Sequence, residues 1–150
     1  MADQTFAVTV VASGGGNRYR FDGGSVDAQT LSLTEGKTYR FTQEDSSNSG
    51  HPLRFSTTPD GTHGDGDEYT TGVTTAGTPG SSGAYTEIEV AHDAPLLYYY
   101  CTNHSGMGGA ARTIGEENRD NSLAFGHYLT LRSPTTLGDY KFQNYWVGEN

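Results

Sequence analysis

Apolar and polar positions alternate along much of the chain, and the alternation breaks at glycines, prolines and short polar clusters. A period of two puts successive side chains on opposite faces of an extended backbone, so such runs predict half-buried strands. By this rule Thr5–Ala12 is a first strand and Arg18–Phe21 a second. Thr30–Thr34 and Lys37–Gln43 flank the turn "EGK" as a predicted hairpin. A strand over Leu53–Thr57 follows the polar run "DSSNSG", with His51 just before it.

The stretch Pro59–Gly83 is too long for a simple connector, so it is expected to contain a short strand or to pack as a functional loop. Alternation resumes in "YTEIEVA", where Thr86, Ile88 and Val90 share one side and Tyr85, Glu87 and Glu89 the other. "APLLYYYC" predicts the next strand, with Tyr99 and Cys101 facing inward and Tyr98 and Tyr100 facing the other way. The run "GGAARTIGEENRDNS" reads as loop, and Tyr128–Arg132 and Tyr140–Val147 as two late strands. In the last of these Tyr140, Phe142 and Trp146 fall on one face. Large aromatics there either pack on their own domain or anchor it to another chain.

Composition agrees with the pattern. The 21 glycines, the abundant Thr and Ser, and ten tyrosines against two methionines suit short strands joined by turns, and no window carries a long apolar repeat at helical spacing. The expected class is all-β, a Greek-key β-sandwich. A length of 150 residues suffices for one modest core, placed in residues 1–112, with 113–150 as a C-terminal β extension. A net charge of −9 argues against a nucleic-acid surface, which needs a concentrated basic face. No run of apolar residues is long enough to span a bilayer, and "FAVTVVA" reads as a strand rather than an export signal.

The chemistry of interest lies in "LLYYYCTNHSGMGG", Leu96–Gly109, which contains the single cysteine. One cysteine cannot form an internal disulfide, so the thiol needs another explanation. A copper ion that changes oxidation state is well served by one thiolate, two imidazoles and a weak axial thioether. Cys101, His104 and Met107 supply three of these donors within one short glycine-bearing loop, and His51 can supply the fourth from a neighbouring strand. Zinc would also accept the cysteine and histidines, with no use for the thioether. The plainer alternative is a buried small cysteine, a loop histidine and a core methionine. The acidic residues Asp60, Asp65, Asp67 and Glu68 lack calcium-loop spacing and read as a solvated loop. His63 reads as a surface residue, and His92 and His127 as strand-end residues; none is assigned as a ligand.

With these residues in order, the chain from about Thr5 to Arg112 resembles the cupredoxins, or type 1 blue copper domains. In that family a first histidine precedes a Cys-x2-His-x(2 to 4)-Met loop that follows an aromatic strand. The resemblance implies one copper per chain held by His51, Cys101, His104 and Met107, with Met107 axial. One position departs. Many cupredoxins have Asn after the first histidine, and its N–H donates to the thiolate while its side chain ties the two ligand loops together. Here that position is Pro52, which has no N–H. The loss of that donor implies a lower reduction potential and a looser site. Gly50 offers a carbonyl on the side opposite Met107.

Residues 45–109, including "GHP" and "HSGMGG", also look like the cupredoxin-like modules of marine phage and cyanophage virion proteins. That narrower resemblance implies a virion structural protein of decoration, fibre or knob type, with other virion proteins or copies of itself as partners. The alternative is a soluble blue-copper electron-transfer protein, periplasmic if a signal has been removed. Neither is an enzyme, because four protein ligands leave no open position for a substrate.

Overall fold

The predicted alternation becomes ten strands among residues 1–115, the part of the chain described by the computed structural model. These are β1 (Gln4–Ser13), β2 (Gly16–Phe21), β3 (Leu31–Thr34), β4 (Thr38–Thr42), β5 (Leu53–Ser56), β6 (Glu68–Tyr69), β7 (Val73–Ala76), β8 (Tyr85–Glu89), β9 (Leu97–Cys101) and β10 (Gly109–Ile114). Two 3-10 turns, Ser46–Asn48 and Gly61–Gly64, are the helical elements among them. None is long and apolar enough to cross a membrane. The predicted strands Tyr128–Arg132 and Tyr140–Val147, with His127, Tyr140, Phe142 and Trp146, lie outside the described residues. Met1–Gly115 forms one compact unit.

The strands assemble into two five-stranded sheets, ordered β2-β1-β4-β8-β7 and β3-β10-β9-β5-β6. The protein is therefore an all-β sandwich. Both sheets are mixed: β1 runs parallel to β4 and β3 parallel to β10, while the other pairings are antiparallel. Alternation predicts the buried face well: Thr86, Ile88 and Val90 are buried, as are Leu97, Tyr99 and Cys101.

Two expectations are corrected. The strands flanking "EGK" do not form a hairpin, because β3 pairs with β10 in one sheet and β4 lies between β1 and β8 in the other. The turn crosses between layers, which lets Leu31 and Leu33 enter the core from one side and Tyr39 and Phe41 from the other. The run after Met107 is not all loop either, since Gly109–Ile114 is β10. Its first residues are small for a reason: a Cβ on Gly108 would run into the Tyr99 carbonyl. Small side chains carry little strand preference, so close backbone packing hid the strand from a reading based on pattern.

An aromatic cluster joins the layers. Phe41 of β4 meets Phe55 of β5 at 5.6 Å between ring centroids, and Phe21 of β2 meets Tyr99 of β9 at 5.2 Å, both edge-on. Each such ring contributes about 1.5–3 kcal/mol by leaving water. The cluster fixes the spacing of the sheets, while β5, which starts after His51, and β9, which ends at Cys101, are held together by their antiparallel ladder within one sheet.

Candidate metal centre

The site forms where β5 and β9 lie side by side. Leu53 is paired with Cys101 in register, and just beyond, the Thr102 N–H donates to the Pro52 carbonyl at 3.2 Å. That pairing brings the segment before β5 alongside the loop after β9, although residues 51 and 101 are distant in sequence. Cys101 Sγ lies 3.8 Å from His51 Nδ1 and 3.7 Å from His104 Nδ1, and the three donor atoms all fall within 4.8 Å of one another. The two imidazole rings are 4.6 Å apart between centroids.

A thiol is only a weak donor and a weak acceptor, so two Nδ1 atoms converging on one sulfur gain little from hydrogen bonds to it. One metal ion answers the geometry. Bonds of about 2.3 Å to sulfur and about 2.0–2.1 Å to nitrogen, opened to tetrahedral or trigonal angles, place the donors about 3.6–3.8 Å apart. Met107, fully buried, closes the loop three residues after His104. The residues present are compatible with a copper ion: a soft sulfur and two nitrogens in one cluster, with a buried thioether on the same loop. Cys101 is buried, His51 half-buried and His104 exposed, so the cluster reaches the surface at one imidazole.

The candidate ligands His51 and Met107 are held from behind. Past Ala7, β1 loses β4 as a ladder partner, and side chains of the Ser46–Asn48 turn take over: the Val10 N–H donates to Ser47 Oγ at 2.9 Å and Asn48 Nδ2 donates to the Val8 carbonyl at 2.8 Å. This anchors the chain three residues before His51, whose N–H then donates to the Asn48 carbonyl at 2.8 Å. The His51 carbonyl accepts from Tyr19 Oη and from Gln43 Nε2, both at 2.8 Å. Gln43 also donates to Asn48 Oδ1 and accepts the Leu53 N–H through Oε1. Tyr19 reaches the ligand loop after β9 as well, because its N–H donates to the Met107 carbonyl at 3.0 Å. Burial, reinforced by the nearby Cys101, raises the Tyr19 phenol far above its ordinary pKa, which keeps it a neutral donor.

Burial, followed by the neighbouring His104, lowers the pKa of His51. The shift favours the neutral imidazole, the form in which nitrogen binds metal. Its far nitrogen, Nε2, faces the Asn17 side-chain amide at 3.5 Å. The facing atom is the amide nitrogen, Nδ2, a donor for which Nε2 is the acceptor.

The loop side differs from expectation in three places. Pro52 indeed offers no N–H, yet the two ligand segments are tied by another residue: Asn103 Nδ2 donates to the Gly50 carbonyl at 2.9 Å. The acidic loop is more than a solvated segment, since Asp60 accepts from Ser105 Oγ at 2.6 Å and from the Gly106 N–H at 2.9 Å. His63 is exposed, but its Nε2–H donates to the Cys101 carbonyl at 2.9 Å. Tyr100 faces away from the core as expected and is nevertheless buried, because the Gly61 backbone lies directly on its ring. Asn103 sits inside the ligand loop and was open to detection by position. Asp60 was not, being 45 positions from the serine it holds.

Comparison with known protein families gives no match, and none of the curated proteins matches the chain.

Proposed function

We propose that this chain is a cupredoxin-type domain that holds one copper ion between His51, Cys101, His104 and Met107 and passes single electrons through the exposed His104 edge. The convergence of two imidazole Nδ1 atoms on one buried sulfur carries this reading. Thiolate and thioether favour the reduced ion while imidazole serves both states, so this donor set suits reversible one-electron exchange. The four ligands fill the coordination sphere, which favours a carrier or structural role over an enzymatic one.

Copper(II) added to the reduced protein is expected to bind one-to-one and to produce the intense absorption of a thiolate–copper bond. Cys101→Ser is expected to abolish that band. A wild-type protein that stays colourless with its thiol reduced sinks the copper reading.

The setting we propose is the surface of a marine phage particle, where the domain serves as a decoration, fibre or knob module among other virion proteins or copies of itself. Support for this comes from the sequence, in the resemblance of residues 45–109. Detection of the chain in a regular array on particles would support it. A monomer that cycles one electron reversibly and is missing from particles would instead support the soluble carrier.

A further inference from the structure

We propose that Asp60 is a positioning residue for the metal centre, a carboxylate brace that holds the His104–Met107 turn in ligand geometry before any metal arrives. The inference rests on the reading of the site given above. Three observations carry it. Both oxygens of Asp60 are engaged, Oδ2 by the Ser105 hydroxyl at 2.6 Å and Oδ1 by the Gly106 N–H at 2.9 Å, and these two residues are the ones between His104 and Met107. The backbone of Asp60 is left-handed, with φ 60°, a conformation uncommon for a residue with a Cβ and best tolerated by Asp and Asn. The same segment is fastened to the ligand strand a second time, by His63 Nε2–H donating to the Cys101 carbonyl and by Gly61 seated on the Tyr100 ring.

The Ser105–Gly106 segment has few other restraints, since His104, Ser105 and Gly106 are all exposed. Gly106 itself is left-handed, with φ 75°, and a turn of that kind is easily remodelled unless something fixes it. A carboxylate accepting an O–H and an N–H makes charge-assisted hydrogen bonds, stronger than neutral ones. It reaches the turn from the segment that follows β5, the same segment that covers the outward-facing Tyr100 ring. Pro52 removes one familiar tie between the ligand segments, and Asp60 supplies a restraint from a different direction.

The test compares wild type with Asp60→Ala and Asp60→Asn. Asparagine keeps an acceptor for the Gly106 N–H, tolerates the left-handed backbone, and can donate to Ser105 Oγ with that hydroxyl's role reversed. In the metal-free protein, hydrogen exchange of the Gly106 amide is expected to be slow in wild type, fast in D60A and restored in D60N. With copper(II), affinity is expected to fall about 10- to 100-fold in D60A, with a displaced thiolate–copper band, and to return largely in D60N. Circular dichroism establishes that each variant is folded. If D60A is not folded, Ser105→Ala, which removes one of the two bonds to Asp60, carries the comparison, with faster Gly106 exchange and weaker copper binding expected and wild-type values for both overturning the brace. A Gly106 amide that exchanges equally fast in wild type and D60A overturns the brace, as does D60A binding copper as tightly as wild type. Failure of wild type to take up copper overturns the copper reading instead, and Gly106 exchange then decides the brace alone.

Discussion

The two histidines of the centre are held in opposite ways. His51 is backed by Gln43 and Asn48, both buried, and by the hydroxyl of Tyr19, so its carbonyl and N–H are fixed by neutral groups inside the sandwich. His104 stands on an exposed turn whose ties, through Asp60 and Asn103, are themselves exposed. The inner wall is part of the fold's stability, because each of its hydrogen bonds closes a buried polar group that would otherwise be orphaned. The outer wall can change with little cost to the fold. The candidate site thus has one histidine set by the core and one adjustable at the surface.

Gln43→Ala should break the comparison most severely. Gln43 Nε2 donates to His51 and Asn48, and Oε1 accepts the Leu53 N–H. Truncation leaves the buried Leu53 N–H and Asn48 Oδ1 without these partners, at about 1–3 kcal/mol each, so a loss of about 3 kcal/mol or more is expected in urea unfolding of the metal-free protein. A loss below about 1 kcal/mol would show that water or neighbouring groups replace the amide, and the inner wall would not be structural in the sense argued.

Alkaline pH sharpens the contrast from another side. Burial raises the pKa of Tyr99 above its ordinary value, and its hydroxyl donates to the Gln29 carbonyl at 2.8 Å. The unfolded chain releases this proton above about pH 10 while the folded chain keeps it, so the native state binds more protons and stability falls as pH rises. The contribution is complete below about pH 10 and is lost as pH climbs toward the folded-state pKa, at up to about 1.4 kcal/mol per pH unit. Tyr99→Phe should therefore cost about 1 kcal/mol at pH near 8, through the lost hydrogen bond, and decline less steeply above about pH 10. Urea midpoints across this range would test it, and parallel curves would contradict the assignment of the slope to Tyr99.

How much of this the sequence disclosed follows the same division. The alternating strands were legible because burial on one face imposes a period of two, and the His51, Cys101, His104 and Met107 constellation was legible because donor types and loop spacing are chemical requirements. The crossing at "EGK" was not, since a short turn between two alternating runs looks the same whether the strands pair or part into separate layers. β10 was hidden by Gly108 and Gly109, where close backbone approach leaves no room for a Cβ. The residues behind the ligands were hidden most deeply. Tyr19, Gln43, Asn48 and Asp60 touch the site through bonds to backbone or to serine, and such contacts impose no spacing in the chain.

The smallest effect is expected at Asn103. Its side chain is exposed and makes one hydrogen bond to the site, from Nδ2 to the Gly50 carbonyl, so Asn103→Ala should alter stability by less than about 1 kcal/mol. That bond nevertheless joins the residue before His51 to the residue before His104, the two histidines whose separation sets the metal cavity. The variant should keep the wild-type urea midpoint within about 1 kcal/mol while releasing copper to a chelator several-fold faster, at roughly the lower edge of the tenfold scale seen for groups behind metal ligands. Gln43→Ala would move the midpoint first and the metal second, and Asn103→Ala the reverse. If both variants shift midpoint and copper release in the same proportion, the inner and outer walls are one cooperative unit, and the division between a fixed and an adjustable histidine must be given up.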